Sequence, residues 1–321
     1  MAKGRSVEDA FAQLAALKTA GPSDLAETLP KFLGSKVSHI VAKGADLARE
    51  KGVKSLQPQL VEAFDRFMER PGETDKGCGA KQAIANALYE MGCDAAETFL
   101  AGIHHRQVEG GFGRPSDTAA ELRGICALGL VRMAYRDVMS ELVDLLADES
   151  HQCRIMAARA LAYAGRDEGA LLLRLKILLG DPVEDVIAEC LVALGALARG
   201  RALSFIRRYL DSREPVIAES AALAIGEMRT ADALSALTEH WARDPFARKS
   251  LALPIALTRL PQAQEFLTGV VVNDKEEIAA ATVEALRIYR HDDGMRDRVR
   301  AAVEARALPK LSDVFRRTFD V

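Results

Sequence analysis

One short stretch recurs along the chain, most clearly as AIGEM at Ala224–Met228. It returns as ALYEM at Ala87, ALGLV at Ala127, ALAYA at Ala160, ALGAL at Ala193, ALTRL at Ala256 and ALRIY at Ala285. The first alanines are spaced 40, 33, 33, 31, 32 and 29 residues apart. A period of this size marks a stack of supersecondary units, each too small to bury its apolar face alone.

A second landmark keeps step. Asp148, Asp181, Asp211, Asp244 and Asp274 precede their alanines by 12, 12, 13, 12 and 11 residues. Each follows an apolar run of helical spacing, such as LLLRLKILL at Leu171–Leu179. The unit is therefore helix A, a turn at the aspartate, and helix B carrying the alanine stretch. The aspartate is placed to accept from a free N–H in the first turn of B. Pro182, Pro215 and Pro245 each follow an acidic residue, where proline suits a first helical turn. Small residues run along one side of B, as in VIAESAALAIG at Val216–Gly226, and let neighbouring helices approach closely.

These residues resemble the HEAT repeat family in its short form, the variety first noted in phycobilisome lyases. The pattern of that form, roughly V-R-x-x-A-A-x-A-L-G-x-I-G-D, is matched best by CRIMAARAL at Cys153–Leu161. The resemblance implies an all-α chain, an α-solenoid (superhelix) of antiparallel helix pairs. Residues 1–79 are expected as a helical cap with degenerate first repeats, 80–290 as the regular array, and 291–321 as a capping helix and tail. The tetratricopeptide W-x-x-L-G-x-x-Y and ankyrin T-P-L-H signatures are missing.

Hydrophobic content of 49% with only 5% aromatic suits alanine- and leucine-rich helix packing. A net charge of −3 gives no general pull toward nucleic acid or anionic membrane. No apolar run is long enough for a membrane span, and the MAKGR start leads into a polar amphipathic stretch, so a cytoplasmic protein is expected. Five cysteines include no C-x-x-C pair. Cys126, Cys153 and Cys190 fall on core positions of B helices, where a free thiol acts as a small hydrophobe.

The longest spacing comes from VEGGFGRPSD at Val108–Asp117, read as a loop between an A helix ending near Gln107 and a B helix from Thr118 to Met133. Its glycines favour a mobile backbone around Phe112. Pro254 falls inside a B helix, where a kink is expected.

No metal, phosphate-loop or nucleophile motif stands in its required context. Some HEAT-like enzymes, the deoxyhypusine hydroxylases, hold two irons with repeated His-Glu pairs. This chain has no such pair, and adjacent His104 and His105 point about 100° apart on a helix. No cofactor is expected. The favoured reading is a non-catalytic scaffold with a protein partner, using exposed B-helix positions and the inserted loop. The candidate partner-binding residues are His104, His105, Phe112, Arg114 and Arg154. Two alternatives stay open through the resemblance: a base-excising glycosylase of the DNA-alkylation-repair type, and a bilin lyase or tetrapyrrole-handling protein. Nucleic acid is disfavoured because acids interleave with clusters such as Arg199–Arg201 and Arg207–Arg208.

Overall fold

A computed structural model describes residues 2–110 and 115–319. The chain packs as two units, Met1–Ala164 and Gly165–Val321. Both are stacks of antiparallel helix pairs, and the fold is all-α solenoid.

The first unit contains α1 (Ala2–Ala16), α2 (Pro22–Thr28), α3 (Pro30–Leu33), α4 (Ser38–Glu50), α5 (Gln57–Glu69), α6 (Pro71–Thr74), α7 (Gly79–Glu90), α8 (Ala96–Ile103), α9 (Ala120–Arg132), α10 (Val138–Leu146) and α11 (His151–Ala164). The B helices α4, α7, α9 and α11 lie side by side, backed by α3, α5, α8 and α10. The sequence Ser23–Leu33 reads as one helix, with Ser23 placed to cap it and Asp24 to Leu33 as its body. It is split at Leu29, because Pro30 opens a new helix there.

The second unit contains α12 (Asp167–Leu179), α13 (Glu184–Ala198), α14 (Leu203–Ile206), α15 (Pro215–Gly226), α16 (Ala231–Arg243), α17 (Arg248–Leu257), α18 (Pro261–Asn273), α19 (Glu276–Ala285), α20 (Asp293–Arg306) and α21 (Pro309–Phe319). The B helices here are α13, α15, α17, α19 and α21, each packed on the next. The expected C-terminal tail is thus a helix over its described residues. α21 buries Leu311, Val314, Phe315 and Phe319 and takes the B place of a further pair.

The small residues sit at the contacts between B helices. A Cβ added to Gly195 would lie 3.0 Å from the Ala224 Cβ, and one added to Gly226 would overlap the carbonyl oxygen of Pro254. Pro254 therefore takes the slot that Ala224 fills one repeat earlier. The sequence landmark Ala256 is displaced from that slot by two residues. α17 runs through Pro254 as one helix.

The turn aspartates do not act as helix caps in most units. The Asp148, Asp181 and Asp244 carboxylates accept from Ser150, Val183 and Phe246, two residues on, at 2.8, 2.9 and 2.9 Å. They close the turn itself, and the helix starts later. For the same reason Pro182 and Pro245 lie in turns, whereas Pro215 does occupy a first helical turn.

The insertion also differs from a plain loop. Val108–Glu109 (β1) and Ser116–Asp117 (β2) pair antiparallel, Val108 with Asp117 and Glu109 with Ser116. Phe112 and Arg114 lie outside the described residues.

Candidate functional site

The base of this hairpin rests on a buried polar network in the first unit. Three successive A–B turns carry an aspartate followed six residues later by a basic side chain: Asp75 and Lys81, Asp117 and Arg123, Asp148 and Arg154. Six residues place the base early in the B helix, from where it folds back over the turn. Lys81 and Arg123 are among the largest fully buried side chains. Charges so deep are tolerated only when paired and hydrogen-bonded.

Lys81 Nζ lies 2.9 Å from Asp75 Oδ2. Asp75 also accepts from the N–H groups of Ala80 and Lys81 at 2.9 and 3.1 Å, so in this unit the turn aspartate does cap its helix. Arg123 donates to Asp117 at 2.7 Å, to Asp148 at 3.1 Å and to the His105 carbonyl at 3.0 Å. Arg106 reaches the other Asp148 oxygen at 2.5 Å. Arg154 donates to the carbonyls of Asp148 and Glu149 at 2.8 and 2.9 Å.

Gln107 joins this ladder to the hairpin. Its amide nitrogen donates to the Asp75 carbonyl at 2.8 Å and to Glu109 at 2.5 Å, and its carbonyl accepts from Thr118 N–H at 2.9 Å. The amide oxygen is then left as acceptor for His105 Nε2, 3.1 Å away. That assignment puts the imidazole proton on Nε2. Glu109 also receives the Gly77 N–H at 2.9 Å, from a turn residue at φ 76° that suits glycine.

The network sets its own protonation. Burial pushes the His105 pKa down. For Asp117 and Asp148 burial pushes upward, but the Arg123 guanidinium and nearby backbone N–H groups outweigh it and hold both carboxyls below their ordinary range. Glu109 is lowered first by the Gln107 amide. These carboxylates are saturated with donors, which suits them to anchor the hairpin.

The residues singled out from sequence divide accordingly. His105 and Arg154 belong to the network. His104 stands apart at the end of α8, its ring exposed and 3.0 Å from Glu141 on α10. Lys81, Gln107, Glu109, Asp117, Arg123 and Asp148 were missed, although the repeated aspartate-to-base interval of six was there to find. It stops at Asp181, whose sixth following residue is the buried Ile187.

The second unit presents a different surface. On α12, Leu171, Leu175, Leu178 and Leu179 are 71%, 52%, 57% and 76% exposed. Their spacing of i, i+4, i+7 and i+8 puts them on one face of the helix. Leu173 and Ile177 take the opposite, buried face. Beside the stripe runs an open cleft of about 370 Å³, lined by Leu171, Leu194 and Ala198 together with two acids, Asp167 and Glu168, and two bases, Arg174 and Arg201. Arg174 packs over the Phe205 ring at 4.3 Å. Arg201 pairs with Asp167 at 2.8 Å.

Among the described residues no group of three or more His, Cys, Asp or Glu is placed to hold a metal ion, and no helix is long and apolar enough to cross a membrane.

Residues 171–253 match the family model for HEAT repeats. With the helix pairs described above, the chain is an all-α repeat protein in which this segment matches HEAT repeats. No curated protein matches it in sequence. Among solved structures, it resembles the complex of CpcE and CpcF of phycocyanin lyase from Nostoc sp. PCC7120, at 16% identity and a TM-score of 0.39, over 81% of this chain and 93% of that one. It also resembles two engineered proteins at 16% identity. One covers 96% of this chain and 93% of its own at a TM-score of 0.34, the other 87% and 97% at 0.29.

Proposed function

We propose that the chain is a non-catalytic scaffold that binds another protein through its repeat surface. The supporting observation is the leucine face of α12. Four large apolar side chains lie on the outer side of a helix whose inner side already meets the core. Burying one leucine is worth about 1.5–3 kcal/mol, so a face of four is costly to leave in water unless it is covered in use. HEAT arrays present extended surfaces of this kind, and the carboxylates of the hairpin network are occupied by donors, which supports binding over acid–base chemistry.

The test is site-specific crosslinking. A photo-crosslinking residue at Leu175 is expected to form discrete protein adducts in the source cell, and the same residue at the exposed Lys51 is not. Absence of a Leu175 adduct, or equal labelling at Lys51, would reject the scaffold reading at this face.

A further inference from the structure

We propose that the ends of α13, α15 and α17 carry a row of arginines that takes an extended acidic segment of a partner protein. The assignment rests on the scaffold reading but uses another edge of the second unit. Most B helices end on a residue of positive φ. After α4, α7 and α11 that residue is Gly52, Gly92 and Gly165, and after α9 it is Ala134. After α13, α15 and α17 it is Arg199, Arg229 and Arg259, at φ 46°, 54° and 56°. Glycine holds such a φ freely, whereas a residue with a Cβ is strained there. Arg199 is strained further, since its ψ of −132° lies outside the left-handed helical basin. Attraction to the carbonyl end of a helix offsets only part of that strain. Three successive repeats thus keep arginine where glycine is the more stable choice.

Packing sets the row level. Gly195 faces Ala224, and Gly226 faces Pro254. Arg199 lies four residues past Gly195, Arg229 five past Ala224 and three past Gly226, and Arg259 five past Pro254. At 1.5 Å per residue the three positions are level to within about 3 Å. Packed helix axes about 8–10 Å apart set the spacing along the row.

All three arginines are exposed. Arg199 and Arg259 have no carboxylate within ion-pair distance among the described residues. Arg229 pairs with Glu227 at 3.0 Å, with both side chains half-exposed, and such pairs exchange at little cost. The other acids at this end of the helices are Asp167, Glu168 and Asp232. Arg201 holds Asp167 at 2.8 Å, and Arg166 holds Glu168 at 3.0 Å. Asp232, in the first turn of α16, is then the one acid set against two unmatched arginines. A polyproline II segment turns once every three residues at 3.1 Å each, so carboxylates at every third residue recur about 9 Å apart on one side. That spacing matches the row. A nucleic-acid strand presents a charge every ~3.4 Å, about three for each arginine, and fits less well.

The experiment uses the full chain and three labelled synthetic peptides in fluorescence anisotropy. One has glutamate at every third position among prolines. The second has the same glutamates in one block, and the third has lysine for glutamate. The spaced acidic peptide is expected to bind about ten-fold or more tightly than the other two, and less tightly as salt rises. Changing Arg199→Gly, Arg229→Gly and Arg259→Gly together is expected to weaken it about ten-fold or more. The same change is expected to raise the melting temperature, because glycine relieves the positive φ.

A lower melting temperature in that variant would mean that the arginines serve the fold, and overturns the proposal. Equal binding of the spaced and block peptides, or of the acidic and lysine peptides, also overturns it. So does binding of none, or binding that the variant keeps. Duplex DNA bound by the chain and lost in the variant, without peptide binding, overturns it in favour of nucleic acid. The Leu175 crosslink decides the scaffold reading separately.

Discussion

Lys81 and Asp75 meet at 2.9 Å with neither side chain open to water. Removing one partner strands the other charge in the core. Asp75→Asn should therefore destabilise the chain by about 3–5 kcal/mol in denaturant unfolding, whereas adding Lys81→Met should recover much of that loss. A double variant as unstable as the sum of the two single changes would show that the pair is not energetically coupled.

Glycines in the second unit separate two opposite effects of a methyl group. Gly226→Ala sets a Cβ against the backbone of Pro254 and should cost about 1–3 kcal/mol. Gly269, inside α18, has open space around it, and Gly269→Ala should stabilise by about 0.5–1 kcal/mol. Thermal melts of the two variants should move in opposite directions.

Acid should act on the hairpin anchor in two stages. His105 has a folded pKa below its ordinary value of about 6.5, so the folded state binds fewer protons than the unfolded. Its stability contribution is complete above that value and declines as pH falls below it. Glu109, Asp117 and Asp148 follow at lower pH, because stabilisation by a depressed carboxyl is lost as pH falls through its folded pKa. Melting temperature against pH should show both stages, and His105→Gln should remove the first alone.

Thiol labelling should count one reactive cysteine. Burial pushes Cys78 and Cys190 up to about 12 and Cys153 up to about 11, and raises Cys126 as well. Burial raises Cys93 too, but it alone is half-exposed, while the other four are buried. A thiol reagent at neutral pH should modify one site quickly on the native chain and the other four only on unfolding. Fast labelling of two or more would mean that the B-helix layer opens far more readily than its packing implies.

The repeat was legible in sequence because close B-helix contacts demand small residues at a fixed interval. Gly195 and Ala224 could not be larger where they touch, so the period shows on the page. The leucine face was not legible. LLLRLKILL carries leucine on both faces of its helix, so the run alone does not say which face is covered. Only the packing shows that Leu173 and Ile177 are covered and Leu175 is not. The charge ladder escaped for another reason. Its partners are six residues apart within a turn, an interval that no metal or catalytic pattern uses. Pro254 read as a helix fault. In the structure it fills a slot made for a small residue, which depends on its neighbour Gly226.

The aspartate-to-base ladder ends where isoleucine replaces the basic residue, and that exchange changes how the two units should answer to heat. Exposing apolar surface raises the heat capacity of unfolding, and exposing polar surface lowers it. A turn closed by Arg123 between two carboxylates and a turn closed over Ile187 therefore contribute with opposite sign. The hydration that opposes burying the charges also weakens with temperature. The first unit is thus expected to have the flatter stability curve along its turn edge, and the second the more sharply domed one. A chain built of one kind of helix pair would in that case carry two calorimetric signatures, divided near residue 165.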